Sequence, residues 1–130
     1  MSLAGEAIRP STINAELDYQ ARLLPGVSRT FALTIPRMPP PVSDQVTNAY
    51  LLCRIADTIE DDLSIAPDDK DALLAAFVDV VDDRAPAGPF AESCLGQLGP
   101  AVLPAERELV ANTRRVVALT HGLGAAQRAQ

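Results

Sequence analysis

The chain has 130 residues, a length that suits one domain or a piece of one. Its 17 acidic and 11 basic residues give a net charge of -6, and this balance argues against nucleic-acid binding, which needs clustered lysine and arginine. A hydrophobic fraction of 48% is too high for a disordered chain. The acidic residues concentrate between Asp57 and Asp83, and a local acidic cluster can hold divalent cations.

Cellular location is indicated by the cysteines and by the apolar segments. Cys53 and Cys94 are too few for a zinc framework and lie among apolar or small residues, so we expect buried free thiols in a reducing compartment. No stretch approaches the roughly 18 apolar residues of a membrane span, and the N-terminus does not resemble a signal peptide. These features predict a cytoplasmic protein, and peripheral contact with a membrane stays open.

Helical patterns follow one another along the chain. Ser11 caps a first predicted helix that runs to about Leu24, where Pro25-Gly26 breaks it. Residues 28 to 35 alternate like a strand, but no partner strand is visible, so a short helix or turn is preferred. Further helices are predicted over about residues 42 to 63, 69 to 81, 92 to 98 and 105 toward the C-terminus. The pattern predicts an all-α fold.

The last predicted helix bears on how complete the domain is. Gly122 and Gly124 should weaken or kink it. It has no glycine stop or following proline and is still in progress at Gln130. We therefore expect residues 1–130 to be the N-terminal part of one domain whose C-terminal half is absent.

Candidate functional residues form a stripe along the helix predicted over residues 42 to 63. At about 100° per residue, four polar side chains share an arc of roughly 60°: Tyr50, Arg54, Asp57 and Asp61. Glu60 flanks this stripe, and Asp62 points away from it, outside the expected site. The opposite side of the helix is apolar: Leu51, Ile55, Ile59 and Leu63.

Carboxylates one helical turn apart can share Mg²⁺, an ion that binds one or two carboxylates, keeps waters and takes its other ligands from substrate phosphates. Arg54, one turn away, can contact a diphosphate bidentately. The alternative is a solvated helix face on which Arg54 pairs with Asp57. Because Asp57 and Asp61 repel each other at this spacing, the helix needs a reason to carry both, and a metal site supplies one.

Two segments carry a resemblance to a known family. The run Asp57-Thr-Ile-Glu-Asp61-Asp62, preceded by Tyr50 and Arg54, resembles the first aspartate-rich motif of squalene synthases, in the squalene/phytoene synthase family. Upstream, Val27-Ser-Arg-Thr-Phe-Ala resembles the family's Ser-Arg-Ser/Thr-Phe segment at a matching distance. Two motifs in order at this separation are more specific than either motif alone.

The resemblance implies a role for each matching residue. Diphosphate oxygens would be bound by Ser28, Arg29, Thr30 and Arg54, with Phe31 at the substrate channel. Tyr50 and Arg54 would line the catalytic site, and Mg²⁺ would be held by Asp57, Glu60 and Asp61. The implied fold is part of the isoprenoid-synthase helical bundle.

The implied activity is that of a prenyltransferase. The complete enzyme would condense two farnesyl diphosphates head-to-head to presqualene diphosphate, with Mg²⁺-dependent ionisation, and NADPH would then reduce the product to squalene. The motif reads more like squalene synthase than phytoene synthase, which needs no NADPH, but both stay open. The family's second aspartate-rich motif would lie beyond residue 130, so we expect this chain alone to be inactive.

Other polar residues receive simpler interpretations. Asp79, Asp82 and Asp83 repeat the acidic spacing but are expected to be an exposed helix end. His121 is expected to be a polar or packed helix residue, and Arg114 and Arg115 to be solvated. A helical interaction module or relic is the alternative to an enzyme. In a synthase the stripe would face a concave apolar surface near Ser28 and Arg29, whereas in a module it would face outward.

Overall fold

The computed structural model describes residues 10–28 and 37–128, and the described residues are helical with no strand. Six helices follow in order: α1 (Pro10–Val27), α2 (Pro40–Asp61), α3 (Pro67–Val81), α4 (Ala87–Gln97), α5 (Pro104–Ala111) and α6 (Thr113–Arg128). This confirms the predicted all-α class. The short helix or turn expected over residues 28 to 35 falls almost wholly outside the described residues.

Helix α1 continues through Pro25 to Val27, so the predicted break at Pro25-Gly26 was wrong. Proline here lacks the N–H that would bond the preceding turn, and burial of Leu23 and Leu24, which dock this end of the helix on the core, offsets that loss. Gly26 meets α5 closely: a Cβ at this position would lie 3.0 Å from the Cβ of Ala105.

Helix α2 carries the predicted stripe, and its bounds lie within two residues of the expected ones. It begins with proline in its first turn, where the missing N–H would have had no helical partner. Its apolar side forms the centre of the core, because Leu51, Ile55 and Ile59 are all 0% exposed. Leu63 was expected on that side, but it is 96% exposed since α2 has already ended at Asp61.

A buried amide fixes the rotation of α2 against its neighbours. The Nδ2 of Asn48 donates to the carbonyl oxygen of Val116 on α6 at 3.1 Å. Its Oδ1 accepts a hydrogen bond from the Thr120 hydroxyl at 2.8 Å. From α1, the Nε2 of Gln20 donates to the carbonyl oxygen of Asp44 at 3.1 Å. These bonds lie opposite the stripe, so they set which way the stripe faces.

Helices α3 and α4 form a hairpin whose rings pack together, with the centroids of Phe77 and Phe90 5.3 Å apart. Helix α4 begins at Ala87, five residues before the predicted start, because Pro89 is tolerated in its first turn. Asp83, in the turn between the helices, has a φ of 61°, a conformation that aspartate adopts more readily than most residues.

The predicted C-terminal helix is divided at Asn112, where φ is -107° and ψ is 24°. Local side-chain bonds compete with the helical ladder there, since the Nδ2 of Asn112 donates to the carbonyl oxygen of Glu108 at 2.9 Å. The hydroxyl of Thr113 likewise donates to the carbonyl oxygen of Val110 at 2.6 Å. Helix α6 then runs without interruption through Gly122 and Gly124.

Candidate diphosphate and metal site

The N-terminal end of the stripe lies beside the end of α1. Tyr50 is half-buried, and its hydroxyl donates to the carbonyl oxygen of Val27 at 3.4 Å. This bond brings Tyr50 next to Ser28, which is also half-buried. Two of the sequence-predicted groups therefore lie together. The other predicted residues of that segment fall outside the described residues: Arg29, Thr30 and Phe31.

Arg54, in the middle of the stripe, forms an ion pair that joins α2 to α5. Its Nη2 donates to Oε2 of Glu106, and the two side chains are 25% and 10% exposed. The Nε of Arg54 is buried and has no hydrogen-bond partner among the described residues. Arg54 is thus held on one side by a fixed carboxylate and keeps donors for other acceptors.

Glu106 is itself held in place by the start of α5. Its Oε1 accepts a hydrogen bond from the backbone N–H of Leu103 at 3.0 Å. A glutamate at the third position of a helix often reaches back in this way, and Pro104 at the helix start marks the position. The local pattern predicts this bond, but nothing in the sequence shows that the same carboxylate pairs with Arg54.

The acidic end of the stripe is open to solvent. Asp57, Glu60 and Asp61 are all exposed, and the ion pairs within the described residues do not involve them. Lys70 approaches this end of α2, but it donates to the backbone oxygen of Glu60 at 2.6 Å. Unpaired carboxylates on an exposed face are available for a cation.

The acids at this end of α2 differ from a metal cage built by protein side chains alone. Among the described residues, no group of three or more acidic, histidine or cysteine side chains is arranged to hold a metal ion. Mg²⁺ needs fewer protein ligands, because it uses one or two carboxylates and completes its shell with waters and phosphate oxygens. Asp57 and Asp61, one turn apart and exposed, therefore fit an ion shared with a phosphate, and they do not fit a cage made by the protein alone.

The two ends of the stripe face different ways. Tyr50 and Arg54 turn partly inward toward α1 and α5, whereas Asp57 and Asp61 face solvent. A groove between α3 and α4 and another between α1 and α5 lie in the described part of the chain, and no stripe residue lines either of them. A synthase was expected to turn the whole stripe toward a concave apolar surface near Ser28. Only the inward half lies toward the α1 end that carries Ser28, and the outward half is what an interaction module would show.

Asp62 lies outside the site, as expected, and serves the fold. Its carboxylate accepts hydrogen bonds from the N–H of Gly99 at 2.7 Å and from the N–H and hydroxyl of Ser64 at 2.8 and 2.6 Å. Burial by itself would raise the pKa of this carboxyl, but these hydrogen bonds outweigh it and lower the pKa below its ordinary value. A Cβ at Gly99 would lie 2.3 Å from the Ser64 hydroxyl, so the turn requires glycine there.

The second acidic run and the histidine behave as the sequence predicts. Asp79, Asp82 and Asp83 are exposed at the end of α3. His121 is half-buried, with its Nε2 2.8 Å from the carbonyl oxygen of Val81. This contact packs α6 against the end of α3, away from the stripe.

Arg115 was expected to be solvated, and that expectation was wrong. Its Nε and Nη2 donate to both carboxylate oxygens of Glu16, at 2.7 to 3.1 Å, and its guanidinium lies 3.9 Å from the ring centre of Tyr19. The Tyr19 hydroxyl in turn donates to Glu108 at 3.3 Å. Burial and the nearby carboxylate of Glu108 raise the pKa of Tyr19 to about 12. This cluster fastens α1 to α5 and α6, while Arg114 is exposed as expected.

The two cysteines differ, although both were expected to be buried. Cys94 is buried on α4, and burial, with the nearby charge of Asp62, raises the pKa of its thiol to about 11. Cys53 is exposed, so that part of the expectation was wrong. Its helical angle explains the difference: it lies about -60° from Tyr50, on the solvent side of α2.

With this geometry in place, comparison with known proteins identifies the class. The sequence matches the family model described as "Squalene/phytoene synthase" over residues 24–129. The chain therefore belongs to the squalene/phytoene synthase family. None of the described helices is long and apolar enough to cross a membrane.

Individual relatives agree with this assignment. Squalene synthase BSS of Botryococcus braunii is 42% identical over 77 residues, which cover 59% of this chain and 16% of that protein. The squalene synthase of Solanum lycopersicum is 45% identical over 62 residues, covering 48% of this chain and 15% of that protein. The lycopaoctaene synthase of Botryococcus braunii is 37% identical over 62 residues, or 48% and 14% of the two chains. No solved structure gives a significant match.

The chain thus spans about a sixth of the length of the curated relatives that it matches. The described stripe lies within the region matched by the family, and so do Ser28 and Glu106.

Proposed function

We propose that this chain provides the first diphosphate- and metal-binding helix of a head-to-head prenyl synthase. The complete enzyme would condense two farnesyl diphosphates to presqualene diphosphate and then squalene. The observation that carries the proposal is the arrangement on α2. Two exposed carboxylates, outside the ion pairs of the described residues, lie one turn apart beside a partly buried arginine, on a helix whose opposite side is the core.

The charges on this face suit a metal–diphosphate substrate. Asp57 and Asp61, with Glu60 beside them, would supply carboxylate oxygens to Mg²⁺, which when bound neutralises diphosphate charge and assists departure of the leaving group. Arg54 would donate directly to diphosphate oxygens, because its planar guanidinium matches their geometry. Acids alone would repel a diphosphate, so the arginine and the metal-binding acids are needed together.

The residues that follow α1 in the sequence would extend the same binding face. Ser28 lies beside Tyr50 and, with Arg29 and Thr30, would hold further diphosphate oxygens. Phe31 would line the channel for the prenyl chain. Tyr50 would stand at the catalytic centre between the two segments, and its bond to Val27 holds it there.

The names of the relatives support one product class. Two of the similar proteins are named squalene synthases, which favours squalene chemistry with NADPH over a phytoene-type reaction without it. Since the chain spans about a sixth of their length, the other half of a two-motif site would come from elsewhere. We therefore expect no squalene and no presqualene diphosphate when the purified chain is incubated with farnesyl diphosphate, Mg²⁺ and NADPH.

Binding, which the chain can show alone, gives the direct test. Inorganic pyrophosphate is titrated into the chain with and without Mg²⁺ and followed by amide NMR shifts. We expect pyrophosphate and Mg²⁺ to bind together, each raising the affinity for the other, with shifts centred on residues 50 to 61. Asp57→Asn with Asp61→Asn should weaken binding at least about tenfold, because it removes the charged oxygen ligands.

A matched control uses the second acidic run. Asp79→Asn with Asp83→Asn removes the same charge at the same spacing from another exposed helix end, and asparagine tolerates the positive φ at residue 83. This variant should bind like the parent chain. An equal loss of pyrophosphate affinity in both double variants would show that binding depends on net charge and not on a site at Asp57 and Asp61. Absence of binding in the folded parent chain would contradict the proposal and favour the helical interaction module.

A further inference from the structure

The contact between Arg54 and Glu106 has features beyond those of an ordinary surface ion pair. The side chain of Glu106 is only 10% exposed, and its two oxygens have separate partners. Oε2 accepts from Arg54, and Oε1 accepts from the Leu103 N–H at 3.0 Å. The carboxylate is therefore anchored to the first turn of α5 whatever Arg54 does.

Arg54 depends on this anchor for its orientation. A guanidinium offers five N–H donors in one rigid plane, so fixing one edge fixes where the others point. Glu106 engages Nη2, and the buried Nε has no hydrogen-bond partner among the described residues. The backbone spacing places Arg54 one turn before Asp57, on the same side of α2 as Asp61.

We propose that Glu106 is a positioning residue: it holds the guanidinium of Arg54 so that its remaining Nη donors, and not the buried Nε, face a diphosphate bound at Asp57 and Asp61. This inference rests on the proposed function, which assigns diphosphate to that face. An arginine fixed in its binding orientation loses less conformational freedom when the ligand arrives, and this raises affinity.

A competing role, in which the ligand displaces Glu106 from Arg54, fits the burial less well. Displacement would leave a carboxylate that is nine-tenths buried without its cationic partner, and such an uncompensated charge is strongly unfavourable. Glu106 also cannot swing outward without breaking its bond to the Leu103 N–H. The ion pair therefore persists when diphosphate binds.

The test uses the 130-residue chain with Mg²⁺ and inorganic pyrophosphate. Glu106→Gln keeps the size of the side chain and an oxygen for the Leu103 N–H, but it removes the charge that holds Arg54. We expect about 10-fold weaker pyrophosphate binding, the scale seen when an outer partner of a binding group is lost. Glu92→Gln, the same change at an exposed position on α4, should leave the affinity unchanged.

A double-mutant cycle shows whether the effect passes through Arg54. In an Arg54→Ala background, Glu106→Gln should cause no further loss of affinity. A loss that persists in that background, or an affinity in Glu106→Gln equal to or above that of the parent chain, overturns the positioning role. If Glu106→Gln does not fold, Arg54→Lys keeps the charge without the planar fork, and parent-like affinity in that variant overturns the proposal.

The outcomes separate this inference from the proposed function. If the folded parent chain binds no pyrophosphate, the proposed function fails and the positioning role fails with it. If the parent chain binds, and Asp57→Asn with Asp61→Asn weakens binding while Glu106→Gln does not, only the positioning role is overturned. Nitrogen NMR of the Arg54 Nε–H gives an independent readout, since its signal should be sharp in the parent chain and averaged in Glu106→Gln.

Discussion

The two sides of α2 differ in what they contribute. On one side Leu51, Ile55 and Ile59 are completely buried and form the centre of the core. On the other, Asp57 and Asp61 face solvent at a spacing that makes them repel each other. The buried side therefore stabilises the fold, whereas Asp57 and Asp61 on the other side take part in none of the ion pairs within the described residues. Such a face can be selected for binding, because changes to it leave the core intact.

The largest effect is expected when the buried side is changed. Ile55→Ala should lower the free energy of unfolding by about 2–5 kcal/mol, because it removes buried methyl groups and leaves a cavity. Asp57→Ala, half a turn away on the same helix, should change it by no more than about 0.5 kcal/mol. Urea unfolding followed by circular dichroism measures both. Similar costs for the two variants would show that the sides of α2 are not divided in this way.

Periodicity within one helix was sufficient to predict this division. The roughly 100° step between residues separates Ile55 from Asp57 without reference to any other part of the chain. The predicted site residues on α2 follow from the same local pattern and from the resemblance of the motif. At Cys53 the helical angle gives the correct prediction and the residue type does not. Cysteine is usually buried, but the angle of Cys53 places it with the exposed side of α2.

Partners distant in sequence could not be predicted. Glu106 lies 52 residues from Arg54, and Glu16 lies 99 residues from Arg115, so no local pattern connects either pair. The rotation of α1 and α5 against α2 creates these contacts, and that rotation depends on packing. The fold class was therefore accessible from the sequence, whereas the groups that hold Arg54 in place were not.

Helix ends were harder to predict than helix faces. Pro25 was expected to end α1, but docking of Leu23 and Leu24 on the core carries the helix past it. Asn112 interrupts the C-terminal helix because its side chain competes for a backbone oxygen, which composition alone does not reveal. In both cases a tertiary or side-chain contact outweighed the local propensity.

An intermediate effect is expected where the two sides meet, at the neighbouring residues Asp61 and Asp62. Asp62→Asn should lower the free energy of unfolding by about 1–3 kcal/mol at pH 7, because it weakens buried hydrogen bonds to Gly99 and Ser64. Asp61→Asn, at the exposed neighbour, should cause no loss. Urea unfolding of both variants at pH 7 makes the comparison.

The pH dependence of stability sharpens the difference between these neighbours. The folded-state pKa of Asp62 is lowered, so its contribution is present above the ordinary aspartate pKa of about 3.9 and is lost as pH falls through the lower folded value. Asp62→Asn should therefore lose less stability than the parent chain on going from neutral to strongly acidic pH. An unchanged acid profile would mean that another carboxyl controls acid unfolding.

The smallest effect is expected on the exposed side, and its sign is opposite. Removing one charge by Asp57→Asn or Asp61→Asn should raise the free energy of unfolding by about 0.2–0.5 kcal/mol, because it relieves repulsion between the pair. Both acids also lie near the negative C-terminal end of α2, so removing either charge should stabilise the helix further. The double variant should gain less than the sum of the singles, and about 1 M salt should remove most of the gain.

Bound ligand should then reverse the order of stability of the parent chain and its asparagine variants. With saturating Mg²⁺ and pyrophosphate, the parent chain gains stability according to RT ln(1 + [L]/Kd), whereas the asparagine variants gain little. The parent chain would become the most stable of the series, although it is the least stable of them without ligand. Destabilisation by Asp57→Asn of more than about 0.5 kcal/mol without ligand would instead show that this carboxylate has a partner within the fold, so the exposed side would not be free for diphosphate.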